Sequence, residues 1–92
     1  MTEVITPARF LIYARSYCHL CDDMRDALMA AFDVRPEDIR MIDVDASETL
    51  VAAFDEWVPV LFGVARDGGE VKLCHYFLER EAVAAFLAAQ GA

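Results

Sequence analysis

Cys18-His19-Leu20-Cys21 follows shortly after an uninterrupted apolar run, Phe10-Leu11-Ile12-Tyr13-Ala14, and opens a segment with helical spacing. A short apolar run without helical spacing reads as a strand buried on both faces. Beyond the cysteines, Leu20, Met24, Leu28 and Phe32 recur every fourth residue. Ala27 and Ala31 fill the same stripe, and Asp22, Asp23, Arg25 and Asp26 lie mostly off it. This spacing predicts an amphipathic helix whose N-terminus lies at or just after Cys18. The chain has 3 cysteines, an odd number and too few for a disulfide scaffold. In a reducing compartment a C-x-x-C pair at a strand-to-helix turn is a redox couple or half of a metal site, and the remaining sequence has to decide between them.

The rest of the chain continues the alternation. Asp33 to Asp38, with Pro36 among them, form a polar connection, and Ile39 to Val44 alternate as a strand does. Asp45 and Glu48 stand three apart before an apolar run, the spacing of a capping box, and the helix so opened would carry Leu50, Phe54 and Trp57 inward. Val58-Pro59 stops it. Val60 to Val64 is strand-like, Asp67-Gly68-Gly69 is a turn signal, and Val71 to Phe77 read as the returning strand of a hairpin. From Glu79 to Gln90 the chain is helical, burying Val83, Phe86 and Leu87, with Gly91 beyond its end. The order βαβα-ββα predicts an α/β fold, a four-stranded mixed sheet flanked by three helices on both faces. The C-x-x-C would lie at the carboxyl end of the first strand, the edge where open α/β sheets commonly place their chemistry.

The 92 residues are read as a single domain spanning 1–92. Apolar and aromatic residues make up 58% of the chain, with 4 glycines and 3 prolines, which excludes disorder. The net charge of −8 repels phosphate backbones and anionic lipid, so neither nucleic acid nor a membrane surface is an expected partner. No apolar stretch reaches the ~20 residues of a spanning helix. Met1-Thr2-Glu3-Val4 shows no basic n-region, so a cytoplasmic location is expected.

With the element order in place, the chain resembles a glutaredoxin-like protein of the thioredoxin superfamily. The resemblance rests on four features that together span nearly the whole sequence: the βαβα-ββα order, C-H-L-C at a strand-to-helix turn, Val58-Pro59 at the third strand, and Asp-Gly-Gly in the hairpin. Asp43-Val44-Asp45 before the second helix also recurs in small glutaredoxin-like proteins. The resemblance implies the thioredoxin fold and a thiol-disulfide oxidoreductase, an electron carrier for protein or low-molecular-weight disulfides. It also implies a cis peptide bond at Pro59, which would face the cysteine pair, with the Val58 backbone offered to a bound thiol peptide.

Disulfide exchange needs a thiolate, an accessible sulfur and a resolving thiol. Cys18 fits the attacking role at a helix N-terminus, where free amides and the macrodipole favour negative charge, and Cys21 the buried resolving role. Arg15 would add positive potential, as glutaredoxins often carry a basic residue there. Asp22 and Asp23 oppose it, and His19, with a reference pKa of ~6.5, is mostly neutral at pH 7. The expected Cys18 pKa is therefore only modestly below that of a free thiol, and the couple fairly reducing. Tyr17 and His19 suggest an exposed turn.

Departures from the family narrow the substrate. Glutaredoxins usually enclose Pro-Tyr between their cysteines, where this chain has His19-Leu20. Glutathione-binding members place a Gly-Gly-x-Asp type segment after the hairpin; the corresponding Tyr76-Phe77-Leu78-Glu79 has no glycine for close backbone approach. Glutathione is thus a possible reductant without an evident binding segment, and the Phe77-Leu78 edge suits a protein or hydrophobic thiol. A thioredoxin-type reductase is the other candidate donor. No tightly bound cofactor is expected. Cys18, Cys21, Cys74 and His75 nominally supply four metal ligands, but adjacent strand residues point to opposite faces, which argues against zinc. Cys74 reads as a small core hydrophobe, His75 as a core or edge histidine sharing a face with Leu73 and Phe77, and Trp57 as core. The alternative from another class is a non-catalytic thioredoxin-like module that uses the C-x-x-C for metal binding or partner docking.

Overall fold

In the computed structural model, which describes residues 8–91, the apolar run is the inner strand β1 (Phe10–Ala14). It pairs in parallel with β2 (Ile39–Asp43), Phe10 opposite Ile39 and Ala14 opposite Asp43. On its other side it runs antiparallel to β3 (Val60–Val64), which pairs in turn with the antiparallel β4 (Glu70–His75). The strand order is β2-β1-β3-β4, with helices α1 (His19–Ala31), α2 (Glu48–Phe54) and α3 (Arg80–Gly91) in the connections and at the end. The expected βαβα-ββα order and mixed four-stranded sheet are both present. The Met1–Val4 segment read for a leader lies outside the described residues.

β1 is buried on both faces because helices cover both. On one face Phe10, Ile12 and Ala14 meet Cys21, Met24 and Leu28 of α1 and Val83 and Phe86 of α3. On the other, the Tyr13 ring stacks on Phe54, centroids 4.5 Å apart, and meets Phe62 edge-on at 5.3 Å. Close packing extends to the backbone: a Cβ at Gly63 would run into the Phe86 ring, which would have to shift to admit it. The β3–β4 hairpin turns at Asp67-Gly68-Gly69, where Gly68 takes φ +88° and Asp67 accepts from the Gly69 amide at 2.8 Å. Among the described residues no helix is long and apolar enough to cross a membrane.

Five local expectations are corrected. Leu20 is exposed, and the inward face of α1 starts instead at Cys21, because the strand-to-helix turn fixes where the helix begins its rotation. The cap of α2 is Ser47, whose hydroxyl accepts from the Leu50 amide; Asp45 sits in a preceding 3₁₀ turn, Val44–Ala46, itself capped by Asp43. Trp57 lies beyond the end of α2 and is 43% exposed rather than core, since α2 ends at Phe54 and the chain leaves the helical stripe. β4 spans Glu70–His75 and stops short of Phe77. A register shift places Cys74 opposite Leu61 but Lys72 opposite Phe62. Leu73 is the extra residue, so Leu73 and Cys74 both pack on the α1/α3 core while His75 turns to the α2 face beside Trp57. His75 therefore does not share a face with Leu73.

Candidate active site

The parallel and antiparallel pairings bring four chain segments to one sheet edge. The carboxyl ends of β1, β2 and β4 meet there with the amino end of β3. Cys18 leaves β1 at this edge as the N-cap of α1, with extended backbone (φ −103°, ψ 102°), and its Sγ accepts the Cys21 amide hydrogen at 3.1 Å. This is the N-cap interaction usually made by a serine or aspartate oxygen, here made by sulfur. A thiolate at that atom gains the amide and the positive end of a 13-residue helix. Asp22 in the first turn adds negative charge that opposes ionisation. Cys18 and Cys21 are joined as a disulfide. Cys18 is the partly exposed sulfur of the pair; Cys21 is buried with the core.

Arg15 is placed differently from the activating role read for it. Its Nε and Nη2 donate to one Asp45 oxygen, at 3.2 and 2.9 Å, and its Nη1 pairs with Asp55. The bond with Asp45, followed by both carboxylate fields, holds the guanidinium pKa above its ordinary value. The cation thus fastens the loop after β1 to the turn before α2 and to the end of α2, and its charge is neutralised there.

The Val58–Pro59 peptide is cis, as the resemblance implies. Tyr13 pairs with Val60, so the next step of the register sets Pro59 opposite Ala14, on the path from β1 to Cys18. The Pro59 carbonyl accepts from the Tyr76 amide at 2.9 Å, whereas the Val58 amide and carbonyl take no part in the backbone hydrogen bonds among the described residues. Val58 and Cys18 pack on the same core cluster. Leu78 joins them there, while Phe77 is 66% exposed, Tyr17 is fully exposed with φ +61°, and His19 is exposed. All the sequence-predicted site residues therefore lie on this one edge.

An aromatic cluster that the sequence reading did not assemble borders the same edge. Trp57 stands edge-on to His75 at 5.2 Å and stacked near Tyr76 at 6.2 Å. Tyr76, at φ +64°, donates its hydroxyl to the Glu56 carbonyl at 2.5 Å, and the Lys72 ammonium lies 5.8 Å from the Trp57 ring centre. Extending the β3–β4 pairing past Val60–His75 would have found this cluster. Cys74 is buried on the opposite face of β4, in the α1/α3 core: burial pushes its thiol pKa up, partly offset by a hydrogen bond from the Glu79 backbone. Among the described residues no group of three or more His, Cys, Asp or Glu side chains is arranged to hold a metal ion. A cavity of about 370 Å³ lies at the opposite edge beside Arg9, Arg66 and Phe86, away from the cysteines.

The fold and the placement of the pair define a thioredoxin-like protein with a C-x-x-C at the start of its first helix. The family model for the glutaredoxin-like domain (DUF836) matches residues 9–88, and the chain belongs to that family. Protein Ne2328 from Nitrosomonas europaea, solved by solution NMR, is 31% identical; the match covers 94% of this chain and 98% of that one, with a TM-score of 0.72. The X-ray structure of target protein XcR50 from X. campestris is 29% identical over 87% of this chain and 96% of that one, TM-score 0.60. No curated protein matches the chain.

Proposed function

We propose that the protein is a dithiol thiol-disulfide oxidoreductase of the cytoplasm. The observation that carries this reading is the asymmetry of the pair: Cys18 caps α1 with its sulfur on an amide and partly exposed, and Cys21 is buried one turn behind it. In the reduced protein the Cys18 thiolate attacks one sulfur of a substrate disulfide. A Cys18–substrate bond forms, and the other substrate sulfur leaves as a thiolate and takes a proton. Cys21, deprotonated, then attacks the Cys18 sulfur. The Cys18–Cys21 bond forms and the second substrate thiolate leaves, so two electrons have passed from protein to substrate. Regeneration takes two electrons from thiols, either glutathione or the dithiol of a thioredoxin-type reductase. Pro59 shapes the floor of the docking groove, and the free Val58 amide and carbonyl would pair with an extended substrate segment. No tightly bound cofactor enters these steps.

The test uses pre-reduced protein, freed of reductant, mixed with a small neutral dialkyl disulfide and quenched by alkylation. The expected product is protein with Cys18 and Cys21 linked, and Cys21→Ser should instead accumulate the mixed disulfide on Cys18. Unchanged thiols after prolonged mixing would contradict the reading and favour a docking module.

A further inference from the structure

The cysteine edge carries an unusual share of exposed apolar surface. Tyr17, Phe77, Trp57, Leu20 and Tyr76 are all among the exposed large hydrophobic residues, and all are contributed by the segments that converge around Cys18 and Pro59. Exposed apolar residues gathered on one edge mark a contact surface, whereas scattered ones do not. Two of these side chains, Tyr17 and Tyr76, are held by backbones at positive φ, a costly conformation for a bulky residue. Carboxylates outnumber cations around this rim, although Lys72 lies against Trp57 and Arg80 follows Glu79. Asp22 and Asp23 follow Cys21, Glu56 precedes Trp57 and Glu79 follows Leu78, and none of the four pairs with a cation among the described residues. Arg15, the cation nearest to Cys18 in sequence, is taken up by Asp45 and Asp55.

We propose that the substrate is a disulfide in a cationic polypeptide, docked with its apolar residues on the Tyr17–Phe77–Trp57 rim and its basic residues against Asp22, Asp23, Glu56 and Glu79. This rests on the oxidoreductase reading above and names its substrate class. A net-negative tripeptide disulfide such as glutathione disulfide meets a mainly acidic rim here, with Arg15 already held by Asp45 and Asp55. A basic chain is drawn to the edge, and its apolar residues find exposed aromatic surface beside the sulfur they deliver. The exchange is the one written above, with the peptide disulfide reduced to its dithiol and the Cys18–Cys21 disulfide formed. A single turnover therefore needs no further reductant.

The experiment compares three oxidants on pre-reduced protein at equal concentration. They are a disulfide-cyclised peptide with aromatic and lysine flanks, the same peptide with glutamate in place of lysine, and glutathione disulfide. A small neutral disulfide serves as the common reference. The lysine peptide is expected to react at least about tenfold faster than either anionic oxidant at low ionic strength, with the advantage shrinking severalfold in 0.5 M salt. Joint charge reversal at two exposed positions, Glu56→Lys with Glu79→Lys, should lower the lysine-to-glutamate rate ratio severalfold. A ratio near one in the native protein, insensitive to salt, would overturn the substrate assignment, as would faster reaction with glutathione disulfide. If the neutral disulfide also fails to oxidise the protein, the oxidoreductase reading falls instead.

Discussion

The two edges of the sheet are built by opposite rules. At the hairpin edge the chain closes on itself. The Ala65 amide donates to the Gly69 carbonyl and the Gly68 amide to the Ala65 carbonyl, Val64 donates to the Arg9 carbonyl, and Arg9 donates to the Asp38 carbonyl while its side chain lies 3.6 Å from the Asp38 carboxylate. The one residue there with positive φ is a glycine, Gly68. At the cysteine edge two tyrosines hold positive φ, five large apolar side chains are exposed around the pair, and Asp22, Asp23, Glu56 and Glu79 have no cation partner among the described residues. Conformational cost and exposed apolar surface, which folding alone would remove, are concentrated at the edge where the proposed disulfide exchange needs an open sulfur and a docking surface.

The largest effect that breaks this contrast is chemical. Cys18→Ser should lower disulfide reduction by ~10³-fold or more, because the hydroxyl that replaces the thiol is not ionised at neutral pH, while thermal stability of the reduced protein changes little. Parallel rate and melting measurements check both halves. The structural side is broken at Gly63, where Ala would drive a methyl into the Phe86 ring. Gly63→Ala should cost about 1–3 kcal/mol by overpacking, seen as a fall in Tm of roughly 4–8 °C per kcal/mol, with the Cys18–Cys21 potential unchanged.

A smaller change sharpens the comparison at the cysteine edge itself. Tyr17 is fully exposed, so Tyr17→Gly removes no packing and relieves the positive φ. Allowing for the greater freedom of glycine in the unfolded chain, stability should rise by about 0.5–1 kcal/mol in a denaturant titration. Peptide disulfide reduction should slow at the same time; a gain in both would remove Tyr17 from the docking surface.

Cys74 gives the smallest and most pH-specific effect. Its thiol pKa is raised in the folded protein, mainly by burial, above the unfolded value of about 8.5. The folded state therefore holds this proton more tightly. The resulting stability is fully present below about pH 8.5 and is lost as pH rises through the folded pKa. In the oxidised protein, where Cys18 and Cys21 do not titrate, stability should decline above about pH 8.5, and Cys74→Ala should flatten that decline. The Tyr13 phenol, raised by burial and by Glu70, adds the same sign only at still higher pH.

The contrast between the edges also explains what the sequence disclosed. The helices and strands follow from apolar spacing and turn residues, and these survive folding because the core rewards the same pattern. The site pair and the helix start at Cys18 were legible for that reason, whereas α2 ends at Phe54, ahead of the stop read at Val58–Pro59. Local competition decided what was not. Ser47 and Asp45 both cap helices well, and only the 3₁₀ turn at Val44 determines which one faces the α2 amides. The bulge at Leu73 moves one residue and so reverses the face of His75, which alternation along β4 cannot anticipate. Arg15 reads as a neighbour of Cys18 in sequence, yet its partners come from Asp45 and Asp55, brought near only by the parallel β1–β2 pairing and the approach of α2.

The central claim is that Cys18 and Cys21 form a working dithiol couple. It is tested most directly by equilibrating the protein in graded glutathione redox buffers, trapping thiols by alkylation and weighing the intact chain. The account predicts a single two-electron transition in which Cys18 and Cys21 become linked, Cys74 stays a thiol, and no glutathione adduct persists. Thiols that remain unoxidised across the whole range would contradict it.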